Sequence, residues 1–239
     1  MASCYECTDV GRVRPTNEDR ALCFAPGVCL VADGMGGHAA GEVASALLVQ
    51  TVQSYLEAEA RPWGEESLRR AVRAANTAIL AEASQFPACE GMGTTATVFS
   101  YADDKGVWAH VGDSRLYLFR RGTLLQMTRD HSYVEGLVEN GSITQAEARI
   151  HPRKNVLTRA VGVEKEVEID TGSFEIMAGD TVLLSTDGLT NMVTDEEIAL
   201  VLRESSFFDA PHVLKDRALQ NGGQDNITVL LMGVEATEE

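Results

Sequence analysis

The stretch Val31-Ala32-Asp33-Gly34-Met35-Gly36-Gly37-His38 decides how the rest of the chain is read. An apolar run from Val28 to Ala32 stops at a carboxylate, and three glycines and a histidine follow. A run of that length bounded by glycine predicts a buried strand. Glycines beyond Asp33 let the backbone turn sharply and approach a ligand closely. A strand ending in an ordinary Asp-Gly turn has the same letters. The arrangement recurs, however. Asp113 ends the strand Trp108–Gly112, Asp187 ends Val182–Thr186 and is followed by Gly188, and Asp225 stands between Gly222-Gly223-Gln224 and a last apolar strand.

Outward from Asp33, residues 4–11 and 20–32 read as strands, joined by a loop holding Arg14, Glu18 and Asp19. From Gly41 the period changes. Ala44, Leu48, Val52 and Leu56 recur every four residues, the stripe of a helix with one buried face. After Pro62, Glu65 and Glu66 suit a second helix start, and Leu68, Val72, Ala75, Ile79 and Ala83 form its stripe. Strands are predicted at about 93–102, 107–112, 115–120 and 123–127, joined by turns at Asp103–Gly106 and Arg121-Gly122. Residues 131–162 carry short helical patterns. Strands return at 167–176 and 180–186, helices at 195–203 and 210–219, and a strand at 226–234. Strands in series and helices in pairs predict antiparallel sheet plus helices, an α+β chain, in place of alternating βαβ units. His110, opposite the valines of its strand, reads as structural.

The 239 residues form one domain on this reading, since no linker divides them and 44% are hydrophobic. A net charge of -16 argues against a nucleic-acid backbone or an anionic membrane surface as partner. Five cysteines and no secretory leader fit free thiols in a reducing compartment. Cys4 and Cys7 form a C-x-x-C without a second pair, and they read as small apolar residues of a first strand. No apolar run approaches a membrane span, which predicts a soluble, cytoplasmic protein.

Carboxylates at the tips of buried strands are partly desolvated, and two of them ~4 Å apart repel by about 4 kcal/mol at an effective dielectric near 20. If Asp33, Asp113, Asp187 and Asp225 share one end of the sheets, they need cations. An all-oxygen ligand set selects Mg2+ or Mn2+, and two such ions would grip a phosphoryl oxygen and activate water. Arg14, with its planar fork, suits the phosphate. Four unrelated turn aspartates and a surface arginine are the alternative.

These residues resemble the metal-dependent protein phosphatase family, the protein phosphatase 2C type in its bacterial form. The resemblance rests on ordered matches covering nearly the whole chain. They are RPTNEDR (14–20), DGMGGH (33–38) with GEVAS (41–45), GTT (93–95), VGDSR (111–115), TRDHS (128–132) and ITQAEA (143–148), then HPRKNVLTRAVG (151–162), GD (179–180), LLSTDGL (183–189) and GGQDNITV (222–229). It implies a four-layer α-β-β-α sandwich, with two central antiparallel sheets flanked by helix pairs. It also implies a single catalytic domain, 1–239, with a flap at about 131–162.

The implied activity is hydrolysis of phosphoserine and phosphothreonine in proteins by water activated at a Mn2+ or Mg2+ centre. Asp33 would bridge two ions, Gly34 would bind one through its carbonyl, and Asp187 and Asp225 would complete the pair. Glu18 would act through bound water, and Asp113 with Asp187 would hold a third, weaker ion. Arg14 would grip the substrate phosphate. Asn226 would support the site, and Asp19 would steady the Arg14 loop. His38 stands three positions later than the histidine of eukaryotic relatives, because Met35 follows Gly34. It either donates a proton to the leaving alkoxide or orders water. His131 and His151 read as structural. The implied partners are phosphorylated proteins, a cognate serine/threonine kinase and its substrates, for a monomer. A catalytically silent phosphate- or phosphoprotein-binding module of the same fold is the competing reading, and a two-metal nuclease is disfavoured by the acidity.

Overall fold

A computed structural model describes residues 2–25, 27–36 and 40–234. The chain opens with β1 (Ala2–Asp9), β2 (Asp19–Phe24) and β3 (Val28–Met35), then α1 (Ala40–Glu57) and α2 (Glu65–Gln85). Next come β4 (Gly93–Thr94), β5 (Ala96–Ala102), β6 (Lys105–Val111), β7 (Arg115–Arg120) and β8 (Thr123–Gln126). Two short helices, α3 (Tyr133–Glu139) and α4 (Gln145–Ile150), precede β9 (Asp170–Glu175) and β10 (Thr181–Ser185). The last elements are α5 (Asp187–Thr190), α6 (Asp195–Glu204), α7 (Ala210–Gln220) and β11 (Ile227–Val234).

The strands form two antiparallel sheets, ordered β1-β11-β10-β7-β8 and β2-β3-β5-β6-β9, with β4 against β3. The expected four-layer sandwich is what forms. Helices α1 and α2 cover the second sheet, and α6 and α7 cover the first. Strand β3 shows why. Val28, Leu30 and Ala32 point into the helix-side core while Cys29 and Val31 point between the sheets, so both faces are buried and the sequence is continuously apolar. In β11, Ile227, Val229 and Leu231 face α6 and α7, and Leu230, Met232 and Val234 face the other sheet. The stripe Leu48, Val52 and Leu56 of α1 is fully buried, which stabilises by about 1.5–3 kcal/mol per side chain.

Two details depart from the sequence reading. The run 20–32 is a hairpin, broken at Ala25 (φ 48°) and Gly27 (φ 84°). The turn after Ser185 is helical, as α5, where no element was expected. The turns at Asp103-Asp104 and Arg121-Gly122 have left-handed backbones at both positions, as two-residue hairpin turns require. What this topology does for function is to align strand ends. The start of β2 and the tip of β3 share one end of their sheet (Asp19↔Asp33). The start of β7, the end of β10 and the start of β11 share one end of the other (Ser185↔Arg115, Ser185↔Val229, Asp9↔Ile227), and hydrogen bonds from Thr186 and Thr228 to Asp19 join the two ends.

Candidate metal centre and phosphate site

At the tip of β3 the Asp33 backbone is held on both sides. Its N–H donates to Thr95 Oγ1 (2.8 Å), and its carbonyl accepts from Thr95 N (2.9 Å) and Thr94 Oγ1 (2.9 Å). The Gly-Thr-Thr segment 93–95 is thus a clamp on Asp33. Thr95 Oγ1 also meets Ser114 Oγ at 2.7 Å, fixing the turn that carries Asp113. That turn is gripped again by His131, whose N–H donates to the Gly112 carbonyl (2.7 Å) and whose Nδ1 accepts from Gly112 N (3.1 Å). With Nδ1 accepting, Nε2 carries the proton and donates to Asp170 Oδ2 (3.1 Å). Burial holds His131 below its ordinary pKa and drives buried His110 down to about 4, so both are neutral structural imidazoles.

Glycine is obligatory at Gly34. A Cβ there would stand 2.1 Å from the Gly41 carbonyl and 2.7 Å from that of Glu18. Gly41 in turn admits the Glu18 side chain, whose carboxyl carbon would lie 2.8 Å from a Cβ. This close approach brings the N-terminus of α1 against β3 and Glu18 beside both.

Asn226 joins three segments. Its Oδ1 accepts from Glu18 N (2.8 Å), and its Nδ2 donates to the carbonyls of Val10 and Thr16 (2.9 Å each). The loop bearing Arg14 and Glu18 is thereby tied to the start of β11. Arg14 Nη2 reaches Asp225 Oδ2 at 2.7 Å. Asp19 is placed differently from the expectation. As register partner of Asp33 it points between the sheets, where Oδ2 accepts from Thr186 (2.8 Å) and Thr228 (2.7 Å). It meets the Arg14 loop through its backbone, whose N–H donates to Asn17. The side chain therefore belongs to the carboxylate cluster, and Asn17 and Asn226 steady the loop.

Asp187 is the first residue of α5. Its Oδ2 accepts from Asn191 Nδ2 at 2.8 Å. Electrostatics show how tightly these acids gather. Burial, then Asp19, Asp187, Asp113 and Asp225 in turn, push Asp33 well above the carboxylate range. Burial and Asp187 raise Asp113 strongly as well. Burial lifts Asp187 to about 6, with Asp225 adding to it and a hydrogen bond with Asp33 opposing it. Burial lifts Asp19 to about 7 against its two threonine donors. Two oxygens, Asp187 Oδ1 and Asp19 Oδ1, are buried without a hydrogen-bond partner among the described residues. A buried carboxylate oxygen with no partner is costly. An oxygen-only donor set of this charge fits Mn2+ or Mg2+.

Beside the carboxylates lies a cleft of about 500 Å³ lined by Arg14, Lys154, Asn155, Asn191, Gln224 and Asp225 among others. Its two cations, facing the carboxylate cluster, suit a phosphate. A smaller recess joins Asp113 and Asp187 to Arg149 and Lys154 of the segment 131–162, and Arg149 bonds the Thr190 carbonyl at the end of α5 (3.2 Å). The structure thus gathers Arg14, Glu18, Asp19, Asp33, Gly34, Asp113, Asp187, Asp225 and Asn226 at one end. His38 lies outside the described residues. The sequence reading missed Lys154, Asn191, Thr186 and Thr228. Thr186, Thr228 and Lys154 sit in the quoted LLSTDGL, GGQDNITV and HPRKNVLTRAVG motifs, but nothing local marks any of them as a site residue.

The chain has been compared with known proteins. The family model described as Protein phosphatase 2C matches residues 16–222. A serine/threonine phosphatase named stp from Listeria welshimeri is 42% identical over 234 residues, covering 94% of this chain and 93% of that protein. The serine/threonine protein phosphatase PstP of Mycobacterium tuberculosis is 43% identical over 229 residues, 95% of this chain but 44% of its own length. A crystal structure of that phosphatase superposes with a TM-score of 0.93 at 40% identity, covering 98% of this chain and 99% of that one. Its catalytic domain in complex with two manganese ions superposes with a TM-score of 0.91, again at 40% identity, over 98% and 99%.

Proposed function

The chain belongs to the protein phosphatase 2C family, and from that premise we propose how its own residues serve a metal-dependent protein-serine/threonine phosphatase. It hydrolyses phosphoserine and phosphothreonine with Mn2+ or Mg2+. Asp33, Asp187 and Asp225, with the Gly34 carbonyl, would hold two ions, and Glu18 would act through bound water. Asp113, with Asp187, would hold a third, weaker ion. Bound there, the ions supply a nucleophilic water at neutral pH and charge to balance the phosphoryl oxygens.

The remaining work falls to the chain. Arg14 binds two phosphate oxygens through its fork, and Lys154 adds a point charge across the same cleft. Asn226 and Asn17 set the loop that aims Arg14. The segment 131–162 acts as a flap over the cleft, held by Arg149 to α5 and by His131 to the Asp113 turn, and it is where substrate sequence is read. The reading invokes no protein nucleophile, because carboxylates stand where a covalent route would need Cys or Ser beside a base. Residues 1–239 serve as one catalytic domain.

The observation that carries this assignment is the gathering of Asp19, Asp33, Asp113, Asp187 and Asp225, two of whose oxygens have no hydrogen-bond partner among the described residues. No helix among the described residues is long and apolar enough to cross a membrane. A cytoplasmic monomer opposing a serine/threonine kinase on shared substrates fits the acidic surface. The test is hydrolysis of para-nitrophenyl phosphate with Mn2+, with Mg2+ and with chelator, beside Asp187→Ala. Turnover that requires metal and vanishes in the variant is expected. A folded, metal-binding protein with no turnover on this compound or on phosphopeptides would instead be a phosphate-binding module.

A further inference from the structure

Cys4, Cys23 and Cys29 meet between the two sheets, away from the carboxylates. Cys4 lies on β1 of one sheet, while Cys23 and Cys29 are register partners on β2 and β3 of the other. The period of two turns Cys4 inward. Cys7, three residues on, faces α7 and approaches His212 Nδ1 at 3.3 Å. The two halves of the C-x-x-C therefore serve different places. Cys4 Sγ stands 3.3 Å and Cys23 Sγ 2.8 Å from Cys29 Sγ, and the three sulfurs lie within 4.8 Å of one another. All are free thiols, Cys29 buried and the other two partly exposed. Cys29 precedes Asp33 by four residues of β3, about 13 Å along the strand.

We propose that Cys4, Cys23 and Cys29 form a second metal site, a three-thiolate cradle for a soft d10 ion, Zn2+ or Cu+. A disulfide would use two sulfurs and leave the third unexplained, whereas a metal uses all three. The donor set is sulfur alone, the opposite of the oxygen cluster at the strand tips, so the two sites select different ions. Binding releases the thiol protons to water and forms three metal–sulfur bonds, with no redox change. Thiolates around Zn2+ at 2.3 Å stand roughly 3.8 Å apart, so the sulfurs must open slightly. Cys4 and Cys23, being partly exposed, have room to rotate. Their exposure is also the entry path and leaves a position for water on Zn2+. Occupied, the site would fasten edge strand β1 to the β2–β3 hairpin across the sheet interface.

The test uses the full chain, reduced, with saturating Mg2+ to fill the carboxylate site. It is titrated with Co2+ as a probe for Zn2+, and with Cu+ against a chromophoric chelator. One equivalent of Co2+ giving a thiolate-to-cobalt charge-transfer band that Zn2+ bleaches, or one equivalent of Cu+ retained against the chelator, is expected, and which of the two appears assigns the ion. The signal should vanish in Cys4→Ser and in Cys23→Ser and persist in Cys7→Ser and Asp187→Ala. Cys23→Ser, at a partly exposed position, guards against misfolding from a change at buried Cys29. Neither signal in the wild-type protein would overturn the proposal, and so would a signal that survives both variants. The same holds if protein kept under reductant shows two fewer thiols than the five of the sequence and a mass low by two hydrogens, because the pair would then be a disulfide.

Discussion

Arg14 and Asp225 form an ion pair of 2.7 Å whose arginine side chain is 49% exposed. A pair open to water to that extent contributes ~0–1 kcal/mol. On the proposed reading, Asp225 would give up Arg14 to a bound metal ion at little cost, leaving the guanidinium for the phosphate. Arg14→Ala should raise KM for a phosphopeptide while leaving Mn2+ affinity and thermal stability nearly unchanged. Equal losses in KM and in Mn2+ affinity, read by calorimetry, would mean that Arg14 organises the metal loop and does not hold phosphate. The carboxylates make a second prediction, for the metal-free protein. Asp187 and Asp19 are raised from 3.8 to about 6 and about 7, so the folded state binds protons more tightly than the unfolded one. Stability is then greatest on the acid side and is lost as pH rises through those values. The unfolding temperature in chelator should fall between about pH 4 and pH 7, and saturating Mn2+, which competes with those protons, should remove the fall. A metal-free unfolding temperature that climbs over that range would refute the clustering. At this scale much of the site was legible, because a carboxylate at the end of a buried apolar run is a local pattern. Asp19's true partners were not, since Thr186 and Thr228 stand 167 and 209 residues away.

Helix α2 shows how an element can be read correctly and still hide its role. The stripe Leu68, Val72, Ala75 and Ile79 is buried as its spacing predicts, with Ala83 only partly so. Among these sits Asn76, also buried, which periodicity would count as a polar intruder. Its Oδ1 accepts from Gly162 N (2.6 Å), and its Nδ2 donates to the carbonyls of Glu164 (2.9 Å) and Lys165 (3.3 Å). It pins the C-terminal end of the flap segment to the helix. Gly162 itself has φ 91°, and a Cβ there would meet Ile79 at 2.2 Å, so the chain can pass this point only as glycine. Asn76→Ala would leave an N–H and two carbonyls without their partner, at about 1–3 kcal/mol. Chemical denaturation should show that loss, with Mn2+ affinity intact because the carboxylates do not touch Asn76. A loss below about 0.5 kcal/mol would mean that water replaces the side chain freely. Other elements were misjudged for equally physical reasons. The run 20–32 hides a hairpin because its strands are apolar on both sides of the break, and α5 is a single turn too short to show a period.

At the scale of the molecule, the site exists because two sheets end together. Asp33 and Asp19 come from one sheet, Asp187 and Asp225 flank strands of the other, and Asp19 reaches across to Thr186 and Thr228. None of this follows from local sequence. The pairing of β1 with β11 joins the two ends of the described chain, Ala2 opposite Val234, and contacts of that separation leave no periodic trace. The antiparallel, paired-helix character of the fold was legible, and the convergence of its strand tips was not. A metal ion shared by residues of both sheets couples their opening, since separating the sheets must release it. Mn2+ at ~100 times its dissociation constant stabilises the folded state by about 2.7 kcal/mol per site, equivalent to about 100-fold slower exchange for amides that open only by global unfolding. Hydrogen exchange should therefore slow by the same factor in β3 of one sheet and β11 of the other, and Asp187→Ala should abolish the slowing in both. Slowing confined to β10 and β11 would place the ion on one sheet alone, and the coupling between sheets would have to come from their apolar contacts.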